Sequence, residues 1–144
     1  MCLLLLQTSA TQAQPVQYWT VGPKMGYTFG PHGGVTIGAE VSYFPHWEIG
    51  PFLPYGFTMD VKVWKEHVSV HVGAETWFVL GVDVGPTLFF SKKSMNLGLS
   101  IIGWDGLFLY PYYELGIPFN GELFHGVGGY LKFPVGNYPS FSFG

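Results

Sequence analysis

The sequence has little charge and no arginine. Only 10% of its 144 residues are charged, whereas soluble domains carry roughly 25%. The formal net charge is −3, and the six basic residues are lysines scattered along the chain. Because nucleic-acid binding depends on a basic patch or stripe, this distribution excludes a nucleic-acid partner.

Cysteine and long apolar runs are also scarce. Cys2 is the sole cysteine, which excludes an internal disulfide and a cysteine-ligated metal cluster. The sequence contains no run of about 18 apolar residues, so it excludes a transmembrane helix. The five histidines show no metal-ligand spacing, and no glycine-rich stretch has the strand–loop–helix context of a phosphate loop. We therefore expect no metal and no cofactor.

What the chain does have is alternation of apolar and polar residues, which hardly stops after residue 17. In residues 35–43, VTIGAEVSY, every second residue is apolar. A period of two predicts β-strands, and we count eight of them with no helical stretch. The predicted turns are Lys65-Glu66, Ser91–Ser94, Asp105-Gly106 and Asn120-Gly121, of which Asp-Gly is the strongest hairpin signal.

Three further connections complete the predicted topology, and the first is the Gly30–Gly34 turn before residues 35–43. No turn residue marks Thr76–Phe78, yet residues 68–90 as a single strand would extend about 76 Å at about 3.3 Å per residue. That length is too great, so we infer a turn there. The longest connection is Pro45–Pro54. Short connections throughout predict an antiparallel up-and-down meander, which avoids unpaired edges by closing into an eight-stranded β-barrel.

The first residues resemble the end of a secretory signal peptide. Leu3–Leu6 form a short apolar stretch, and Thr11-Gln12-Ala13 fits a small-x-small cleavage site. We predict a truncated signal peptide over residues 1–13, a β-barrel domain over 14–135 and a C-terminal tail over 136–144. The alternative is an apolar N-terminus that frays from the domain.

The polar face of the strands indicates which side of the barrel is outside. It consists largely of glycine, threonine and serine, which suit a narrow interior and make a poor coat against water. No charged residue falls in the middle of a strand on the apolar face. A lipid-facing surface requires this, because lysine or arginine at the bilayer midplane costs about 2–4 kcal/mol. The prediction is a transmembrane barrel with an apolar outer face and a polar, glycine-rich lumen.

The ionisable groups assigned to that lumen can pair with one another across a confined space. Three are lysines, five are carboxylates and two are histidines. The predicted lumen charge network is Lys24, Glu40, Asp60, Lys62, His71, Glu75, Asp83, Glu114, His125 and Lys132.

Aromatic residues lie near the strand ends. Barrels that span a bilayer carry aromatic girdles at both interfaces, and strands of about nine to eleven residues are long enough to cross when tilted. The residues assigned to the girdles are Tyr27, Phe29, Tyr43, Phe44, Trp64, Trp77, Phe89, Phe90 and Trp104.

Over residues 18–135, the alternation and the strand count resemble the small eight-stranded outer-membrane barrels of the OmpA and OmpX type. The resemblance is one of architecture and carries no functional residue across. It implies insertion in the outer membrane of a Gram-negative cell, with membrane lipid and other envelope proteins as partners. Two features depart from that family. The turns expected outside the cell are short, and Pro134 and Pro139 interrupt the last strand before any terminal aromatic residue.

One predicted strand carries residues suited to hydrolysis. His67, Ser69, His71 and Glu75 share a face, and nucleophilic catalysis needs serine and histidine in hydrogen-bond reach with an orienting carboxylate. Some outer-membrane lipid-A deacylases use these residue types with a similar His-x-Ser spacing. The alternative is a hydrogen-bond network inside the barrel, into which His71 and His125 are expected to point.

These patterns predict an outer-membrane protein with a structural or interaction role, as a subunit or accessory of a membrane assembly, and not an enzyme. Eight strands leave an interior just filled by side chains, so we expect a plug closed by charge pairs rather than a pore. Two alternatives remain open: a lipid-A-modifying hydrolase that uses Ser69 and His67, and a soluble lipocalin-like carrier.

Overall fold

The computed structural model describes residues 16–30, 32–47, 55–77, 80–105 and 109–135. Within them the chain forms a closed, eight-stranded antiparallel β-barrel, and no helix is long and apolar enough to cross a membrane. The predicted signal peptide, the C-terminal tail, most of the Pro45–Pro54 connection and the side chain of Trp77 lie outside the described part.

Consecutive strands are neighbours around the barrel, as the predicted meander requires. The strands are β1 Val16–Phe29, β2 Gly34–Trp47, β3 Tyr55–Trp64, β4 His67–Trp77, β5 Leu80–Ser91, β6 Met95–Asp105, β7 Leu109–Pro118, β8 Phe124–Leu131 and β9 Phe133–Val135.

The short strand β9 continues β8 along the same edge of β1, so the nine strands occupy eight positions around the barrel. On β1, Lys24 pairs with Tyr130 of β8, and Val21 pairs with Phe133 of β9 in the same register. Pairing therefore continues through Pro134, which lies opposite Thr20. The expectation that Pro134 interrupts the last strand is wrong. A strand tolerates proline where the missing amide hydrogen would point away from the neighbouring strand.

The barrel closes with an offset of ten residues. A path that follows paired residues once around the barrel starts at Trp19 of β1 and returns to β1 ten residues later, at Phe29. The path runs Trp19, Tyr43, Phe57, Ala74, Val84, Ile101, Leu115, His125 and Phe29. An eight-stranded barrel with this offset tilts its strands by roughly 40° from its axis.

Two of the predicted tight turns are confirmed by the strand register. Trp64 pairs with His67 across Lys65-Glu66, where Lys65 has φ +48°, as the first position of a primed hairpin turn requires. The Ser91–Ser94 turn is closed by the amide of Ser91 donating to the carbonyl of Ser94 at 2.8 Å. The turn inferred near Thr76–Phe78 is also confirmed, because Trp77 pairs with Gly81.

The connection at Asp105-Gly106 is longer than predicted. A two-residue turn there would pair position 104 with position 107, whereas Trp104 pairs with Tyr112. Paired residues share one face of a sheet, and Trp104 and Tyr112 are both buried. The wider connection therefore keeps both rings inside, which an odd shift in register would prevent.

The alternation seen in the sequence separates an inward face from an outward face. Along β3, exposed and buried residues alternate without a break, and in β2 Val35, Ile37 and Val41 are exposed while Thr36 and Glu40 are buried. In these strands the face that carries the polar residues is buried, and the face that carries the aliphatic residues is outside.

Candidate functional site

The barrel interior is the first candidate site, because it gathers ionisable side chains that are costly to bury. Three lysines and five carboxylates lie inside and come from seven different strands or their margins. Since every second residue of a strand points inward, strand register alone determines which of them meet.

Lys24 joins two carboxylates near the centre of the interior. Its Nζ lies 2.6 Å from Oδ2 of Asp60 and 3.5 Å from Oε2 of Glu40. The ammonium group also lies 4.7 Å from the ring centre of Tyr112 and 5.5 Å from that of Tyr130. Carboxylates and ring faces both attract a cation, so they compensate for the water that Lys24 loses on burial.

Lys132 extends the same cluster toward the end of the barrel formed by Trp104 and Tyr130. Its Nζ lies 2.9 Å from Oε1 of Glu40 and 2.6 Å from Oε2 of Glu75. Glu40 therefore bridges Lys132 and Lys24 through its two oxygens. Lys132 lies just past the last residue of β8, so the interior network depends on the last strand of the barrel.

A second group of contacts lies toward the opposite end. Lys62 donates to Oε2 of Glu114 across the barrel. His71 has Nε2 at 3.0 Å from Oδ2 of Asp83 and Nδ1 at 2.8 Å from Oγ1 of Thr87. Thr87 in turn donates to Oγ of Ser100 at 2.9 Å. Each of the five buried carboxylates thus contacts a lysine or a histidine.

The structure brings together nine of the ten residues expected in the lumen network. His125 is the exception and requires a correction, because it is exposed on the outer face, where Nδ1 contacts the hydroxyl of Tyr113. Its neighbour Gly126 is buried. Since adjacent residues in a strand point to opposite faces, His125 points outward.

The residues expected to suit hydrolysis are not arranged as a nucleophile and its base. Oγ of Ser69 is buried and has no hydrogen-bond partner among the described residues. Both ring nitrogens of His71 are engaged by Asp83 and Thr87, and the ring of His67 stacks on Trp64. The structure describes no group of three or more His, Cys, Asp or Glu residues that could hold a metal ion.

Four of the aromatic residues assigned to girdles point inward, which corrects that assignment. Phe44, Trp64, Phe89 and Trp104 are buried, whereas Tyr27 and Phe29 are exposed as expected. The inward residues close both ends of the interior. Trp104 packs edge-on against Tyr110 at 5.3 Å and Tyr130 at 6.1 Å between ring centres, and the opposite end carries Trp64 and Phe89.

A cavity of about 350 Å³ lies at this opposite end, outside the aromatic rings and partly open. We call it the mouth cavity. It is bounded by the turns that follow β1, β5 and β7 and by the start of β4. Its floor consists of Trp64, Phe89 and Phe124, with Phe124 edge-on to Phe89 at 5.2 Å. His32 and His67 form part of its wall, with ring centres 4.8 Å apart.

Several of these residues could not be identified from the sequence. Thr87, Ser100 and Ser42 are ordinary small polar residues of the inward face, and only the strand register places them beside His71 or Lys132. The mouth cavity gives no sequence signal, because its walls come from separate turns. The alternation did hold one clue, since Trp64 and Phe124 share parity with the inward residues of their strands.

A scan of the chain against models of known protein families found no match, and a search of curated proteins found none either.

Proposed function

We propose that the protein is an integral outer-membrane β-barrel with a closed, charge-paired interior and a structural or interaction role in a membrane assembly. The observation that carries this proposal is the inverted distribution of residues. Large apolar side chains are exposed on each of the strands β1 to β8, while the side chains of three lysines and five carboxylates are buried.

The outer surface supports hydrocarbon rather than water as the surrounding medium. Met25 and Ile37, which lie at least three residues from the ends of β1 and β2, expose 61% and 60% of their surface. Soluble monomers rarely expose apolar patches larger than a few hundred Å², and a belt that continues around a barrel exceeds that. Exposed charged residues of the described chain lie in turns or at a strand end, at Lys65, Glu66, Lys92, Lys93, Asp105 and Glu122.

The dimensions of the barrel support the same proposal. A ten-residue strand such as β3 or β7, tilted by roughly 40°, rises about 25 Å along the barrel axis. The apolar band of outer-membrane barrels is about 25 Å tall. The exposed apolar surface therefore has the height of the hydrocarbon layer.

The packing of the interior favours a plug over a channel. The ion pairs of Lys62 and Lys132 connect opposite strands across the barrel, and the pair of Lys24 and Asp60 connects β1 with β3. Aromatic rings cover both ends. An ion passing through would have to separate buried pairs, each of which would leave an uncompensated charge. This supports a structural or interaction role rather than conduction.

One polar pair on the outer face supports an interaction with another envelope protein. Tyr113 and His125, on β7 and β8, are exposed and hydrogen-bonded to each other. Polar groups facing lipid are costly and usually mark functional positions, and a neighbouring protein can supply further hydrogen bonds there. We place the partner against this part of the barrel.

Cell fractionation followed by mild detergent extraction tests the proposal. We expect the full chain in the outer membrane, migrating differently on gels before and after heating, and eluting at a mass above that of one barrel in its micelle. Elution as a single barrel would remove the assembly role. A monomer that stays soluble without detergent would instead support the lipocalin-like carrier and end the membrane proposal.

A further inference from the structure

The mouth cavity is large enough for a ligand of about two rings. A cavity of about 150 Å³ lined by apolar residues holds one benzene molecule, and the mouth cavity has about 350 Å³. It also lies in the range of about 300–1,000 Å³ typical of small-molecule sites, and barrel mouths are a common place for them.

The floor of the cavity favours a flat aromatic molecule. Trp64, Phe89 and Phe124 present three rings to it, with Trp64 and Phe124 6.0 Å apart between ring centres. Aromatic pairs prefer offset or edge-to-face contact at about 4.5–7 Å, which these rings already adopt with one another. A planar ligand can join the same packing.

The wall of the cavity includes the ring of His67. This ring is held between two others, at 4.8 Å from His32 and 5.5 Å from Trp64 between ring centres. Nδ1 of His67 is shielded from solvent, so a ligand in the cavity meets the imidazole ring and not this nitrogen.

The charges around the cavity favour a neutral ligand. Among its described lining residues, Glu122 is the sole carboxylate or ammonium group, and it is exposed at the rim. The interior ion pairs lie below the aromatic floor, and the cavity lining includes none of them. An anionic ligand would therefore meet no lining cation, and a cationic ligand would meet only the exposed Glu122.

We propose that the mouth cavity binds a small, neutral, planar molecule of about two aromatic rings that packs against Trp64, Phe89 and Phe124. The cavity is formed by side chains and turns of the barrel itself. The proposal therefore holds whether lipid or water surrounds the outer face, and it does not rest on the proposed function.

Fluorine NMR on the full chain, labelled with 5-fluorotryptophan in lipid nanodiscs, tests the proposal with indole as the probe. Trp64 and Trp104 are each 5% exposed but lie at opposite ends of the interior, so Trp104 is a matched internal control. We expect indole to shift the Trp64 resonance saturably and to leave the Trp104 resonance in place. The Trp64→Phe variant assigns the signal. No shift at Trp64, or equal and unsaturable shifts at both residues, would overturn the proposal.

A variant of the floor supplies a second test. Phe124→Leu retains an apolar floor but removes one of its rings, and we expect it to weaken the binding of indole. Unchanged affinity for indole would contradict the aromatic floor as the binding surface.

Discussion

Nζ of Lys24 lies 2.6 Å from Oδ2 of Asp60, although the two residues are 36 positions apart and both are 1% exposed. Breaking such a pair from one side leaves an uncompensated buried charge, which costs about 3–5 kcal/mol. We therefore expect Lys24→Met to lower the free energy of unfolding by about that amount, measured by urea titration of the refolded barrel.

The control for Lys24→Met is Lys92→Met. Lys92 contacts Glu66 on the exposed turns, and exposed pairs contribute up to about 1 kcal/mol. Similar losses for both variants would show that the interior pairs are solvated as well as the exposed one.

A lysine on the outer face tests the medium around the barrel. Val82 is exposed as the third residue of β5, and lysine on a lipid-facing surface costs up to about 2–4 kcal/mol, depending on its depth. We expect Val82→Lys to block membrane assembly, measured as loss of heat-modifiable migration. Leu123→Lys adds the same charge next to a turn and should assemble, and Thr36→Ser, inside the barrel, should be silent. Normal migration of the Val82→Lys protein would contradict a lipid-facing position.

Two buried serines separate a packing role from a catalytic one. Ser69 has no hydrogen-bond partner among the described residues, whereas Ser100 accepts from Thr87. We expect Ser100→Ala to lower the free energy of unfolding by about 1 kcal/mol and Ser69→Ala to leave it unchanged, because only the former breaks a hydrogen bond. Expression of either variant or of the parent should leave the lipid-A acyl profile the same. An acyl chain lost with the parent and retained with Ser69→Ala would instead favour the hydrolase.

Close approach of the strands makes some glycines irreplaceable. A β-carbon at Gly85 would overlap the carbonyl of Val72 and the α-carbon of Gly73, whereas one at Gly103 would meet nothing within 4 Å. We expect Gly85→Ala to destabilise the barrel by about 1–3 kcal/mol and Gly103→Ala to be neutral, both measured by urea titration. Equal changes in the free energy of unfolding for the two variants would mean that the strands can move apart to accommodate the added methyl group.

The barrel could be predicted from the sequence because the alternation of apolar and polar residues is a local property that each strand repeats. The inward set of lysines and carboxylates follows from parity alone, which is why Glu40 and Asp60 were placed correctly. His125 was misplaced although its neighbours Gly126 and Val127 had the parity that sends it outward.

What parity cannot give is register. Whether Lys24 meets Asp60 or another carboxylate depends on the register between neighbouring strands. That register is determined by the pairing of all eight strands around the closed barrel. The same reason explains why the connection predicted at Asp105-Gly106 is longer than two residues, since the burial of Trp104 and Tyr112 prevails over a favourable turn sequence. It also explains why the mouth cavity was not foreseen.

The seam between β1 and β8–β9 joins the two extremities of the described chain, with Trp19 opposite Val135. Every other pair of neighbouring strands is consecutive along the chain, so the pairing of β1 with β8 and β9 is the last that can form. Until β8 has paired with both of them, β1 and β7 remain as unpaired edges to which strands of another chain can add. Aggregation through edge pairing therefore stays open to the chain up to the last step of closure.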